Sequence, residues 1–129
     1  MEITIDAAYK NFIDDRKTYV SGKTLAFYLD NISKFVTFCH EHYASDLMSD
    51  LPESVLKDYV LHLRTKKKFE GHPFTPESDD VIKNSSVRTY TRAVKSFLNF
   101  CVQEHYIKDY KRVKMPRNDA RQIIPLYDE

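Results

Sequence analysis

Ser85, Arg88, Arg92, Lys95 and Asn99 recur at intervals of three and four residues, so a helix turning about 100° per residue gathers them into one narrow stripe. No acid interrupts the stripe. Such a face offers cations for phosphate oxygens and side chains long enough to reach base edges with paired hydrogen bonds. Asn84, Ser85 and Ser86 open the segment, where backbone N–H groups and small hydroxyls can point at a phosphate. The same residues also suit a plain solvated face. The missing acids tilt the reading toward nucleic acid.

Other candidate chemistry is thinner. Lys23, Phe27, Asp30, Lys34, Thr37 and Glu41 form a second outward stripe of mixed sign, of which only the Lys23–Thr24–Phe27 end suits a polyanion. Phe27 falls on the polar side, either as an exposed contact for a partner domain or folded under a neighbouring loop. Arg64 and Lys66 to Lys68 either complement a helix dipole or touch phosphate. Cys39-x-x-His42 and Cys101-x-x-x-His105 superficially resemble metal ligands. Both cysteines, however, sit in apolar helical patterns, as reduced, buried thiols. His40, His62 and His72 lack an obvious Ser, Cys or acid partner. With no Gly-rich phosphate loop, HExxH or CxxC, neither metal nor cofactor is expected.

Four helices are needed to position these residues. The first is expected over about Ile5 to Thr18, capped by Thr4, with Ile5, Ala8, Tyr9, Phe12 and Ile13 inward. Val20-Ser21-Gly22 breaks it. The second runs from about Lys23 to Tyr43, where Leu25, Tyr28, Leu29, Ile32, Phe35, Val36 and Cys39 give a strong helical period. The third starts near Asp50, with Asp50 as cap, Pro52 in the first turn and Glu53 returning a bond, and buries Val55, Leu56, Tyr59, Val60 and Leu63. Lys66 to Asn84 reads as a long loop. The fourth spans about Ser86 to Tyr106, with Val87, Tyr90, Val94, Phe97, Leu98 and Cys101 inward. Helices two and four match at a constant offset, from Thr24-Leu25 with Ser86-Val87 to Phe38-Cys39 with Phe100-Cys101. Duplicated hairpins or a shared packing demand would each produce that match.

Composition sets the outer bounds. The 129 residues suit one domain, and 42% hydrophobic with 30% charged content is that of a folded soluble chain. No apolar run approaches the roughly 18 residues of a membrane helix, and the N-terminus has no secretory pattern, so a cytoplasmic location is expected. The net charge of +1 hides an asymmetry. Between Lys83 and Arg117 nine cations face only Glu104 and Asp109, while the first fifty residues lean acidic. Because fields are screened within about 8 Å at physiological salt, the local surplus governs a contact surface.

Taken together, Ser85 to Phe100 resembles the last helix of the core-binding, SAM-like N-terminal domain of phage integrases and other tyrosine recombinases. Ser21-Gly22-Lys23-Thr24 with Tyr28, Ile32 and Phe35 is similar to that family's second helix, and Thr4-Ile5 with Tyr9 and Phe12 to its first. The resemblance covers about residues 3 to 117. Lys114-Met115-Pro116-Arg117 resembles the interdomain linker, and Ile124 to Glu129 the opening of the catalytic domain.

The resemblance implies an all-α, compact four- to five-helix bundle of two helical hairpins. Residues 1–110 would form the core-binding domain, and 111–129 the linker and the start of the catalytic domain. Double-stranded DNA is the implied partner, clamped at a recombination core site between this domain and the catalytic half, alongside other recombinase protomers. The parent would be a bacterial, phage or mobile-element recombinase. The catalytic arginines, His-x-x-Arg motif and nucleophilic tyrosine would lie in that other half, so this segment is expected not to be an enzyme. By residue type, base-edge reach falls to Arg88, Arg92, Lys95 and Asn99, and phosphate contact to Lys23, Thr24, Ser85, Ser86, Lys114 and Arg117. The alternative is a helical protein-interaction module whose basic stripe binds an acidic partner.

Overall fold

A computed structural model describes residues 2–65 and 84–114, and only the backbone of residues 84 and 85. The expected loop from Lys66 to Lys83 and the tail from Met115, with Arg117 and the Ile124 to Glu129 stretch, lie outside the described residues.

The first helix, α1 (Ile5–Arg16), starts where Thr4 accepts a hydrogen bond from the Ala7 N–H at 3.1 Å. Asp6 in its first turn and Arg16 in its last both complement the helix dipole. Ile5, Ala8, Phe12 and Ile13 are buried, as their spacing requires. The start of α1 is pinned to a distant connection, because Ile5 N–H donates to the Asp46 carbonyl at 2.7 Å and Met48 N–H to the Ile3 carbonyl at 2.8 Å.

Helix α2 (Gly22–His42) is capped by Ser21, whose hydroxyl oxygen accepts from the Thr24 N–H at 3.2 Å. Its buried face is Asn31, Ile32, Phe35, Val36, Phe38 and Cys39. The expected Ile32, Phe35, Val36 and Cys39 are among them, and Leu25 and Tyr28 pack against the core. Leu29, expected inside, is 41% exposed, and the face widens on one side to take in Phe27, Asn31 and Phe38. There Phe38 and Phe35 both meet Tyr59 of the next helix edge-on at 5.1 Å. Phe27 is thus packed against the core beside Tyr28 rather than presented to a partner.

Helix α3 (Val55–Thr65) begins later than the Asp50-Pro52-Glu53 signal suggests. Met48 is fully buried and pulls Met48–Asp50 into a separate 3-10 turn. There the Asp50 carboxylate accepts from the Ser45 hydroxyl at 2.6 Å instead of capping a helix, and Pro52 supplies only a turn carbonyl to Val55 N–H. The inward set Val55, Leu56, Tyr59, Val60 and Leu63 is as expected.

Helix α4 (Asn84–Gln103) packs against α1, α2 and α3. It ends three residues short of the expected Tyr106 for a structural reason. His105 takes a left-handed φ of 65°, its N–H returning to the Val102 carbonyl and that of Tyr106 to the Cys101 carbonyl. Those two bonds form a Schellman stop, completed by Tyr106 packing on Phe100 at 6.0 Å. The core is a joined aromatic cluster. Phe12 meets Tyr28, Phe97 and Phe100 edge-on at 5.2, 5.6 and 5.4 Å. All described elements are helical, with one isolated bridge between Thr4 and Leu47, so the protein is an all-α bundle in which α1 packs on α2, and α4 on α2 and α3 as well as α1.

Cys39 and Cys101 are buried free thiols. Burial pushes the Cys39 thiol up to about 12 and raises that of Cys101 as well. Among the described residues no three His, Cys, Asp or Glu side chains are grouped to hold a metal.

Candidate nucleic-acid interface

With α1, α2 and α3 covering most of α4, little of its circumference faces solvent. On one strip Arg92 and Asn99 are exposed and Arg88 and Lys95 half-exposed, while Ser86, also half-exposed, lies off that strip in the first turn. The strip is narrower than residue spacing alone suggests, because Thr91 and Leu98, which border it, are fully buried. At 1.5 Å per residue, Arg88 to Asn99 spans about 16 Å, which is roughly five base steps of duplex. Ser85 lies in the first turn of α4.

Several cations outside α4 are paired. In the first half of the chain Lys10 and Lys17 pair with Asp14, Arg16 with Asp15, and Lys34 with Asp30. Lys34 also stands 5.9 Å from the ring of Tyr90. Among the described residues, Lys23, Lys57, Arg92, Lys95, Lys108, Lys111 and Lys114 form no ion pair. The cations of α4 therefore sit on a helix without acids, and Arg92 and Lys95 are uncompensated.

Lys23 and Thr24 occupy the first turn of α2, both exposed and with no acid in that turn. The Thr24 hydroxyl already accepts from Ser21 at 3.1 Å. Phe12 joins Tyr28 of α2 to Phe97 and Phe100 of α4, Phe35 meets Phe97 at 6.1 Å, and Lys34 lies by Tyr90, so α2 packs on α4 through Phe35 and Lys34.

Lys114 is exposed just after Val113, which packs on the core. Residue spacing did not single out Tyr110 or Arg112. Tyr110 is buried and its hydroxyl donates to Asn99 Oδ1 at 2.6 Å, while the Arg112 guanidinium lies over its ring at 4.1 Å from the centroid. One signal for them was present: an aromatic residue set among charges in Lys108-Asp109-Tyr110-Lys111-Arg112, straight after a helix that needs its open side covered.

Among the described residues no helix is long and apolar enough to cross a membrane. No curated protein and no solved structure matches the chain. The family model for the phage integrase SAM-like domain matches residues 5–115, taking in all four helices and the returning segment that carries Tyr110. The chain belongs to that family, the SAM-like and non-catalytic part of integrases.

Proposed function

We propose that the protein binds double-stranded DNA by laying the outer face of α4 in the major groove, as the DNA-gripping part of a site-specific tyrosine recombinase. The observation that carries this reading is the uncompensated pair Arg92 and Lys95 on a helix without acids. What sets α4 apart is that it carries three cations and no acid, so no carboxylate of its own helix can pair with Arg92 or Lys95. A polyanion supplies the missing partners, and displacing its condensed counterions drives the association.

In this reading Arg88, Arg92, Lys95 and Asn99 face base edges. Lys23, Thr24, Ser85, Ser86, Lys114 and Arg117 meet backbone phosphates. Such backbone contacts fix the helix in register. Membership of the integrase family supports a division of labour, in which this domain closes one side of the duplex and a separate catalytic domain performs strand exchange, with other recombinase protomers in the assembly. DNA integration or recombination inside the cell is the process this serves.

The test is a titration of the isotope-labelled protein with a duplex, followed residue by residue by NMR. Shifts concentrated at Arg88, Arg92, Lys95, Asn99 and Lys23 are expected. Shifts confined to the opposite face, or a response to acidic protein but not to duplex, would overturn the reading.

A further inference from the structure

The segment after α4 turns back along the helix it has just left. The Schellman stop at His105 reverses the chain, Tyr106 packs on Phe100 while its hydroxyl accepts from Asn11 Nδ2 at 3.0 Å, and Lys111 N–H donates to the Glu53 carbonyl at 2.8 Å. Between those anchors Tyr110 is driven inward. Its ring is 3% exposed, and its N–H donates to the Asp109 carboxylate at 2.8 Å. Arg112 closes over it, donating to that same carboxylate and to the Tyr110 carbonyl at 2.6 Å. The hydroxyl thus has a fixed aim, and burial raises the pKa of Tyr110, keeping it a donor at neutral pH.

Its acceptor is Asn99 Oδ1, on an exposed residue of the α4 strip. An exposed asparagine left alone samples both amide orientations, exchanging the places of its oxygen and nitrogen. The bond from the Tyr110 hydroxyl restrains the amide plane and, donated to Oδ1, holds the oxygen toward Tyr110. The oxygen keeps a second lone pair, and the amide nitrogen keeps its hydrogens for an outside acceptor. A neighbouring donor and acceptor in one plane match the N6 and N7 edge of adenine, whereas guanine offers two acceptors there.

We propose that Tyr110 is a positioning residue that locks the Asn99 amide for adenine readout, tying the path of the departing chain to the register of α4 in the groove. This rests on the duplex-binding reading above. Arg112 and Asp109, already paired with each other, serve as the clamp on Tyr110 rather than as phosphate ligands.

Two measurements on the whole chain test it. The first needs no DNA: the Asn99 side-chain amide should be rigid by NMR relaxation and become mobile in Tyr110→Phe, which keeps the buried ring. Equal mobility in both proteins would overturn the lock. In the second, the unaltered protein selects duplexes from a randomised pool, and single-base variants of the selected site are titrated with Tyr110→Phe, Asn99→Ala and the double variant. Preference for adenine at one position should fall roughly three- to tenfold in Tyr110→Phe, with affinity for unselected duplex unchanged. Asn99→Ala should lose the same preference, and the double variant no more. Retained preference in Tyr110→Phe, or an equal loss on every duplex, would overturn the assignment. If the unaltered protein binds no duplex, the function proposed above fails with it, while the relaxation result still decides whether Tyr110 holds Asn99.

Discussion

Replacing Phe12 by Ala should cost more stability than any change on the surface of this domain, because Phe12 is where three helices meet. Its side chain is fully buried and meets Tyr28 of α2 and both Phe97 and Phe100 of α4 edge-on. The Arg16 guanidinium covers it from its own helix at 4.6 Å. Truncating a phenylalanine so enclosed costs about 4 kcal/mol, combining lost transfer energy with the cavity left behind. The ring contacts fall within that figure and are not added to it. For a small domain with a urea slope of about 1.5 kcal/mol/M, the unfolding midpoint should fall by about 2.5 M at unchanged slope. Urea unfolding followed by far-UV circular dichroism reads this directly. Leu61→Ala is the control, since Leu61 is 53% exposed and its loss should stay within about 0.5 kcal/mol. A Phe12→Ala midpoint no lower than that of Leu61→Ala would refute the claim that this ring joins the helices.

Thr91 offers the opposite sign. Its hydroxyl is buried without a hydrogen-bond partner, so Thr91→Val should leave stability unchanged or raise it by up to about 1 kcal/mol in the same urea assay. His105→Gly should stabilise by about 1 kcal/mol, because glycine adopts the left-handed φ of 65° without strain. His40 bridges Asp6 at 3.1 Å and Asp46 at 3.3 Å, and the hydrogen bond to Asp6 raises its pKa, against a smaller opposing effect of desolvation. A raised folded pKa means that this contribution is full below about 6.5, the unfolded value, and fades as pH climbs through the folded one. His40→Gln should therefore lose a few tenths of a kcal/mol at pH 5.5 and almost nothing at pH 8.5, since the carboxylates are mostly exposed; thermal melts at the two pH values check it.

How much was legible in the sequence differs by element. The periods of α1, α3 and α4 were faithful because each buries one compact face, as Val55 to Leu63 shows. The period of α2 and most of its inner face were legible, but the choice between Leu29 and Phe38 was not, since it depends on where Tyr59 arrives from another helix. The likeness of α2 to α4 has a packing counterpart: Phe35 with Phe97 and Cys39 with Cys101 are fully buried, and the two phenylalanines lie 6.1 Å apart. The start of α3 escaped because local capping chemistry at Asp50 lost to the burial of Met48. For the candidate site, the residue types on the outer face of α4 were readable from spacing. Its narrow width was not, since burial of Thr91 is a tertiary effect. The bond from Tyr110 to Asn99 was equally hidden, because only the reversal at His105 brings those residues together.

The most direct test of the central claim is the salt dependence of duplex affinity, measured by fluorescence anisotropy for the protein and for an Arg88→Ala, Arg92→Ala, Lys95→Ala triple variant. Each lost phosphate neutralisation lowers the slope of log affinity against log salt by about 0.9. If these side chains lie in the groove with their charge near the backbone, the triple variant should bind more weakly, with a slope shallower by up to about 2.7. Equal affinity and equal slope in the two proteins would contradict the account.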